Sequence, residues 1–262
     1  MPLSEIRAAL AGTMIEARYQ PIVRVTDRKP VAVEVLARLN HPAHGTLLPH
    51  RFIPQMEDAG LAPALTEVVT RRAFADMSGP LLVPYGLEIA LNFPLDVLLV
   101  PAAMAVLDAQ RREAGIRPEQ VIVELTESRP VEDVLGLRHA VERLRNSGYG
   151  VVIDDIQPGV PQIQALLDLP FTGVKLDKDL VRLLVADDAG SRAFTQRVVG
   201  LAKARGLTVT AEGVEDVATW NRLADIGVDQ VQGFLVARPL MAVALPIWLR
   251  RWSRRKSLPR KS

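Results

Sequence analysis

Continuous apolar runs alternate along the chain with stretches whose apolar positions recur every three or four residues. The run Val151-Val152-Ile153 is typical of a strand that is covered on both faces, as in a parallel sheet. Such runs and shorter alternating segments predict strands at residues 19–25, 31–39, 87–93, 121–127, 150–156, 173–177, 208–213 and 228–236. The helical spacing predicts helices at residues 52–60, 62–77, 97–115, 131–148, 160–169, 191–206 and 217–227.

The connections between these elements indicate the fold class. Residues 26–30 form a short turn, which makes the first two strands an antiparallel hairpin. Strands and helices then alternate at roughly 25 to 35 residues per unit, as in a parallel sheet with helical crossovers. Eight strands suffice to close a TIM-like (β/α)8 barrel of the α/β class with an antiparallel first strand. An open doubly wound sheet is the alternative, although no glycine-rich phosphate loop follows any strand.

Polar side chains lie at or just after the ends of most predicted strands. They are Glu34, Asn92, Glu124 with Glu127, Asp154 with Asp155, Lys175 with Asp177, Glu212 with Glu215, and Gln232. The carboxyl ends of barrel strands converge on one mouth, so we expect these groups to form a shared site. Any single acid is equally explained as a helix cap or an ion-pair partner. Several carboxylates and one amide around a lysine suit hard cations such as Mg²⁺ or Mn²⁺.

Composition narrows the class of protein. Hydrophobic residues make up 48% of the 262 residues and charged residues 24%, which is ordinary for a globular chain. Cysteine is absent, which excludes thiol nucleophiles and thiolate metal sites and fits a reducing compartment. The sequence has no signal-peptide pattern, no long uncharged apolar run, no HExxH motif and no GxSxG motif. We therefore expect a cytoplasmic protein.

Charge is unevenly distributed along the chain. Seven of the 32 basic residues and none of the 30 acidic residues lie from Arg250 onward, so the remainder is net negative. This predicts a barrel domain at residues 1–249 and a disordered basic tail at residues 250–262. Contact of the tail with nucleic acid or an anionic membrane surface is the alternative to a solvated end. The body has no basic stripe with interleaved aromatic residues, so DNA binding is not expected as the main activity.

The strand-end residues lie in motifs that resemble those of the EAL-domain cyclic-di-GMP phosphodiesterases. The signature is VEVLAR at residues 33–38, with valine for the central alanine. Eight further motifs follow the family order: YQPIV at Tyr19, FIPQMEDAG at Phe52, LNFP at Leu91, ELTES at Glu124, DD at Asp154, VKLDK at Val174, AEGVE at Ala211 and QGFLVARPL at Gln232. The resemblance implies a TIM-like barrel and hydrolysis of one phosphodiester of cyclic di-GMP to linear pGpG by two-metal-assisted water attack.

The resemblance also implies roles for individual residues. Glu34, Asn92, Glu124 and Asp154 would bind one Mg²⁺ or Mn²⁺ ion, Asp155 would help to hold a second, and Glu212 would contribute to the metal and water site. The catalytic residues would be Glu34, Lys175 and Glu212, with Lys175 positioning the attacking water and Glu212 transferring a proton. Arg38 would contact a substrate phosphate. The substrate site would also include Gln20, Asp177, Glu215 and Gln232, and Glu127 would steady the loop after the aspartate pair.

That loop departs from the family pattern. The family has approximately DDFGTGYSS, whereas this chain has DDIQPGVPQ at residues 154–162. Pro158 and Pro161 fix φ and remove two amide donors, and Pro94 replaces a usual serine. Because the family's loop links metal binding to dimerisation, the departure leaves the expected homodimer open. It also leaves two alternatives for the function: a slower or differently regulated hydrolase, or a cyclic-di-GMP receptor or protein-interaction domain with little turnover.

Overall fold

The computed structural model describes residues 3–126, 134–159, 163–186 and 188–255. In these ranges the strands β1–β9 are Ile15–Arg24, Pro30–His41, Gly45–Leu47, Glu88–Pro94, Val121–Thr126, Gly150–Ile156, Gly173–Leu176, Thr208–Ala211 and Gln230–Val231. The helices α1–α11 are Leu3–Ala11, Pro49–Asp58, Ala62–Met77, Leu95–Leu98, Pro101–Glu113, Val134–Asn146, Ile163–Leu167, Lys178–Val185, Ala189–Ala204, Val217–Ile226 and Leu245–Ser253. Among the described residues no helix is both long and apolar enough to span a bilayer.

Eight of the strands close into a barrel. Their order around it is β1, β9, β8, β7, β6, β5, β4 and β2, and β1 pairs with β2 to complete the ring. The strand β1 is antiparallel to both neighbours, whereas the pairs from β2 through β4 to β9 are parallel. The short β3 pairs only with the far end of β2. The predicted TIM-like barrel with an antiparallel first strand is confirmed, and a closed ring excludes the open sheet.

Alternation along the strands separates the hydrophobic core from the barrel interior. On β5, Val121, Val123 and Leu125 are fully buried in the main hydrophobic core. The intervening Ile122 and Glu124 line a different space, a cavity of about 280 Å³ that also contacts Lys175. Because successive side chains point to opposite faces of a strand, the apolar residues anchor the strands and leave the polar ones inside the barrel.

The predicted helix at residues 97–115 was wrong as a single element. The structure has α4, then a break at Leu99 and Val100, and then α5 beginning at Pro101. Val100 is extended, with φ −86° and ψ 112°. Proline disfavours the helical conformation in the residue before it and lacks an amide donor, so the break falls where Pro101 requires it.

The predicted division of the chain at residue 250 was also wrong, because it falls inside α11. Trp252 in this helix is 5% exposed, and its indole Nε1 donates a hydrogen bond to the carbonyl of Arg28 at 2.7 Å. A large side chain buried in this way ties residues 250–253 to the barrel. Residues 256–262 of the predicted tail lie outside the described residues.

Candidate active site

Lys175 lies at the centre of the polar cluster. It stands on β7 with a side chain only 1% exposed, and its Nζ contacts four carboxylates. The distances are 2.5 Å to Glu212 Oε1, 3.1 Å to Glu124 Oε2, 3.2 Å to Asp154 Oδ2 and 3.6 Å to Glu34 Oε2. These acids come from β2, β5, β6 and the end of β8, so the closed barrel is what brings them together.

Amide side chains orient Glu34 from two directions. Asn92 Nδ2 donates to Glu34 Oε1 at 3.0 Å, and Gln232 Nε2 donates to Glu34 Oε2 at 2.5 Å. Gln232 Nε2 also contacts Gln20 Oε1 at 3.1 Å, and Gln20 Nε2 donates to the carbonyl of Ala237 at 3.0 Å. A carboxylate that accepts fixed donors on both oxygens is held in one orientation. Gln20 and Gln232 therefore support the cluster directly.

The aspartate pair depends on an irregularity in β6. The register between β6 and β7 shifts between Ile153 and Ile156, and Asp155 has a φ of 56°. Regular alternation would direct adjacent side chains to opposite faces, but here Asp154 and Asp155 line the same cavity. A non-glycine residue in the left-handed region costs of the order of 1–3 kcal/mol, which marks Asp155 as a strained position.

Three carboxylates are close enough to share a metal ion. One oxygen each from Asp154, Asp155 and Glu212 lies within 4.8 Å of the others. All three ligands are hard oxygen donors, which suits a divalent cation of the Mg²⁺, Mn²⁺ or Ca²⁺ type. Gln232, which donates to Glu34, has a buried Oε1 with no hydrogen-bond partner among the described residues, so the polar cluster contains a further unused acceptor. The residues present therefore fit a bound divalent cation.

The pKa shifts show an excess of negative charge. Burial raises the pKa of Glu212 to about 8 and that of Asp155 to about 6, and neighbouring carboxylates add to both shifts. Burial and like charges also hold the pKa of Glu124 well above its usual range. Burial lowers the pKa of Lys175, but the surrounding carboxylates outweigh it and raise the pKa well above normal. One ammonium thus leaves several negative charges unmatched, and bound cations would relieve their repulsion.

A cavity of about 430 Å³ opens over this cluster. Its polar floor is formed by Glu34, Asn92, Asp154, Asp155 and Glu212. Helices α2 and α3 supply an apolar wall that includes Ile53, Leu65 and Val69, and Lys178 lies on the rim. Sequence reasoning missed these wall and rim residues, although Ile53 lies in the FIPQMEDAG motif and Lys178 ends the VKLDK motif.

Other predicted residues have different surroundings. Asp177 caps α8, where its carboxylate accepts the amide of Asp179 at 2.8 Å, and Glu215 is exposed on the loop after β8. Arg38 is buried, and its Nη1 donates to the carbonyl of Ala37 at 2.8 Å. Burial lowers the pKa of Arg38, as does Arg18, while Glu34 raises it. Glu127 and residues 160–162 of the altered loop lie outside the described residues.

The architecture first defines a class of protein. An eight-stranded α/β barrel with carboxylates gathered at the carboxyl ends of its strands is a barrel with a candidate divalent-cation active site. The EAL domain model matches residues 3–239, and the chain belongs to the EAL domain family. The resemblance seen in the sequence is thereby confirmed.

Several known proteins are similar to this chain. Cyclic di-GMP phosphodiesterase PA2567 of Pseudomonas aeruginosa is 32% identical over 241 residues, which cover 89% of this chain and 40% of that protein. Cyclic di-GMP phosphodiesterase RocR of the same organism is 31% identical over 244 residues, which cover 91% of this chain and 60% of that protein. This chain therefore spans less than two thirds of the length of each of these relatives.

A solved structure extends the similarity to the fold. The PaMucR phosphodiesterase in complex with c-di-GMP superposes with a TM-score of 0.86 at 30% identity. The match covers 93% of this chain and 98% of that one. The barrel and its order of elements are thus those of an EAL domain.

Proposed function

We propose that this chain hydrolyses one phosphodiester bond of cyclic di-GMP and releases linear pGpG. The observation that carries the proposal is the cluster of four carboxylates around Lys175 at the mouth of an EAL barrel. The names of PA2567 and RocR, and the nucleotide bound to PaMucR, support the same substrate. Each of the family's ligand positions carries a competent oxygen donor in this chain.

The proposed cofactors are Mg²⁺ or Mn²⁺, with two ions at the site. Glu34, Asn92, Glu124 and Asp154 would hold one of them, Asp155 would help to hold the other, and Glu212 would contribute to the metal and water site. Bound divalent ions would supply positive charge that activates water and offsets the negative charge of a phosphodiester. The crowding of the mouth's carboxylates around a single ammonium supports this assignment, because bound cations would offset both their mutual repulsion and the charge of a dianionic substrate.

The chain's own residues would orient the reactants. Lys175 holds the four carboxylates in place, and by the family resemblance it would position the attacking water among them. Glu212 is 19% exposed in its side chain, against 8% or less for the other three acids of the cluster. We therefore assign proton transfer to Glu212, the acid of this cluster that is most open to substrate and solvent.

Substrate contacts are proposed for the residues that flank the mouth. Arg38 would pair with a substrate phosphate, and Gln20 and Gln232 would maintain the orientation of Glu34 beneath it. The substrate contacts of Asp177 and Glu215 stay predictions. Asp177 caps α8, and Glu215 is exposed on the loop after β8. A cytoplasmic location and a homodimer likewise stay predictions.

The proposal is tested by incubating the protein with cyclic di-GMP and either Mg²⁺ or Mn²⁺ and measuring pGpG. We expect turnover that stops on chelation and falls at least 100-fold in Glu34→Ala, because the variant loses a proposed ligand and the acceptor of two hydrogen bonds. Glu113→Ala, at an exposed carboxylate on α5, is the matched control and should keep full activity. Unchanged turnover in Glu34→Ala would mean that the site is misassigned.

A receptor with little turnover is the second candidate function. It is favoured by residues 157–159, where Gln-Pro-Gly follows the aspartate pair and Pro158 lacks an amide donor that the family's loop offers. The same assay separates the two functions. Binding of cyclic di-GMP without pGpG at high protein concentration would support the receptor and contradict the hydrolase.

A further inference from the structure

Helix α11 has two faces of opposite character. Its buried face carries Leu245, Leu249 and Trp252, which pack into the main hydrophobic core. Its exposed face carries Ile247, Arg250, Arg251 and Arg254, the last of these just after the helix. These four positions follow the spacing i, i+3, i+4 and i+7, so they form one continuous strip along the helix.

Large apolar side chains extend this strip toward the start of the helix. Met241 is 50% exposed, Val243 is 67% exposed and Ile247 is 47% exposed. Single exposed apolar residues are ordinary, but three within seven positions, next to arginines, form an amphipathic surface. We call Met241, Val243, Ile247, Arg250, Arg251 and Arg254 the C-terminal strip.

The charge of the strip is not matched by nearby acids. The sequence contains no Asp or Glu after Asp229. Among the ion pairs of the described residues, none involves the three arginines of the strip. One or two basic residues would suffice to offset the helix dipole at its carboxyl end, so the dipole alone does not account for this concentration of charge.

A basic cleft adjoins the end of the strip. It has a volume of about 240 Å³ and is lined by Arg28, Lys29 and Arg255, together with Asp27 and Trp252. The carboxylate of Asp27 already accepts Arg24 Nη1 at 2.8 Å and the amide of Lys29 at 3.0 Å. The cleft therefore keeps a net positive charge that can receive an anionic group.

We propose that the C-terminal strip docks this protein onto an anionic phospholipid surface. The apolar side chains would enter the boundary between headgroups and acyl chains, while the arginines and the cleft would contact phosphate groups. A nucleic-acid surface would use the arginines but would leave Met241, Val243 and Ile247 exposed to water, so the bilayer fits the whole strip better. The inference uses none of the residues of the mouth and is independent of the proposed function.

The position of the strip sets the orientation on the membrane. Because β1 is antiparallel to the other barrel strands, the turn between β1 and β2 lies at the barrel end opposite the carboxylate mouth. Trp252 contacts this turn through Arg28, so the arginine-rich end of α11 lies there too. Docking would leave the acidic mouth away from the anionic lipid and open to solution, which electrostatic repulsion also favours.

Flotation of the full chain with lipid vesicles tests this proposal. We expect it to bind vesicles of equal parts phosphatidylglycerol and phosphatidylcholine, but not vesicles of phosphatidylcholine alone. Arg250→Gln/Arg251→Gln/Arg254→Gln should weaken partitioning about 125-fold, since each basic residue near an anionic surface contributes about a factor of five. Val243→Ser/Ile247→Ser should weaken it about 30-fold through lost apolar burial.

A charge-matched variant controls for net charge. Arg7→Gln/Arg143→Gln/Arg197→Gln removes three exposed arginines from α1, α6 and α9, and it should float like the wild type. The proposal is overturned if the wild type fails to bind anionic vesicles, or if the strip variants bind as well as this control. It is also overturned if Val243→Ser/Ile247→Ser keeps full vesicle binding and duplex DNA displaces the protein from the vesicles. That result would indicate a nucleic-acid-binding surface.

Discussion

Removing the ammonium of Lys175 should expose the electrostatic cost of the carboxylate cluster. In Lys175→Met a side chain of similar length remains, but the four acids within 3.6 Å of Nζ lose their shared cation. Without divalent metal, these buried carboxylates must repel one another or take up protons. We expect the variant to fold in chelator with a much lower free energy of unfolding than the wild type.

The magnitude follows from two independent estimates. Breaking a buried ion pair by removing one partner costs about 3–5 kcal/mol. Protonating one glutamate of ordinary pKa at pH 7 costs about 3.7 kcal/mol, which falls in the same range. At about 2–4 °C per kcal/mol for a chain of this size, the melting temperature should fall by roughly 6 to 20 °C.

Thermal unfolding in EDTA and in Mg²⁺ measures this effect. Burial raises the pKa of Glu124, Asp154 and Glu212 in the folded state, so the loss should shrink as the pH falls from 7 toward 5 and these carboxyls protonate. Mg²⁺ should restore more stability to Lys175→Met than to the wild type, because a bound cation stabilises the folded state. Lys203→Met, at a half-exposed lysine 3.8 Å from Asp229, is the control. Equal destabilisation of the two variants in EDTA would refute the reasoning.

Three further predictions concern the scaffold of the site. Asp155→Gly should raise the free energy of unfolding in EDTA by about 1 kcal/mol, because glycine tolerates the φ of 56°. The same variant should lower metal-dependent turnover. A lower free energy of unfolding would contradict the inferred backbone strain at Asp155. Trp252→Ala should cost about 3–5 kcal/mol in urea unfolding, whereas a disordered tail predicts no change. For Asp108, burial raises the pKa, but hydrogen bonds from Arg111 and Tyr149 outweigh it and keep the pKa below normal. Asp108→Asn should therefore cost about 1–2 kcal/mol at pH 7 and progressively less as the pH falls through the acidic range where Asp108 protonates, which a pH series of melting curves would show.

The sequence was sufficient to predict the barrel and the convergence of the charged residues at the centre of its mouth. Parallel strands must end at the same face, so polar residues at successive strand ends converge once the ring closes. Glu34, Glu124, Asp154, Lys175 and Glu212 meet for that reason. The family motifs added roles that strand-end chemistry alone does not assign.

What could not be predicted depends on local geometry that has no strong sequence signal. The left-handed backbone conformation of Asp155 accompanies a register shift between β6 and β7. Nothing in the sequence of either strand predicts this shift. Asp177 was predicted as a site residue, and the sequence did not show that the same side chain also caps α8. The predicted last strand, residues 228–236, is only Gln230–Val231 in the structure. Just after it, the backbone at Gly233 passes so close to Val214 that a Cβ atom would lie 2.1 Å from the Val214 carbonyl oxygen.

The tail illustrates a different limit. A run of arginines predicts a solvated chain end. The number of charges does not show that Trp252, in the same segment, holds the helix against the barrel through its hydrogen bond to the Arg28 carbonyl. The apolar spacing of Leu245, Leu249 and Trp252 was the available signal.

A single-turnover experiment in ¹⁸O-labelled water tests the central claim most directly. The protein is in molar excess over cyclic di-GMP, Mn²⁺ is present, and the masses of the products are measured by mass spectrometry. Our account predicts pGpG that carries one ¹⁸O on its terminal phosphate and no product after chelation. Recovery of intact cyclic di-GMP, although calorimetry shows that it is bound, would contradict the account.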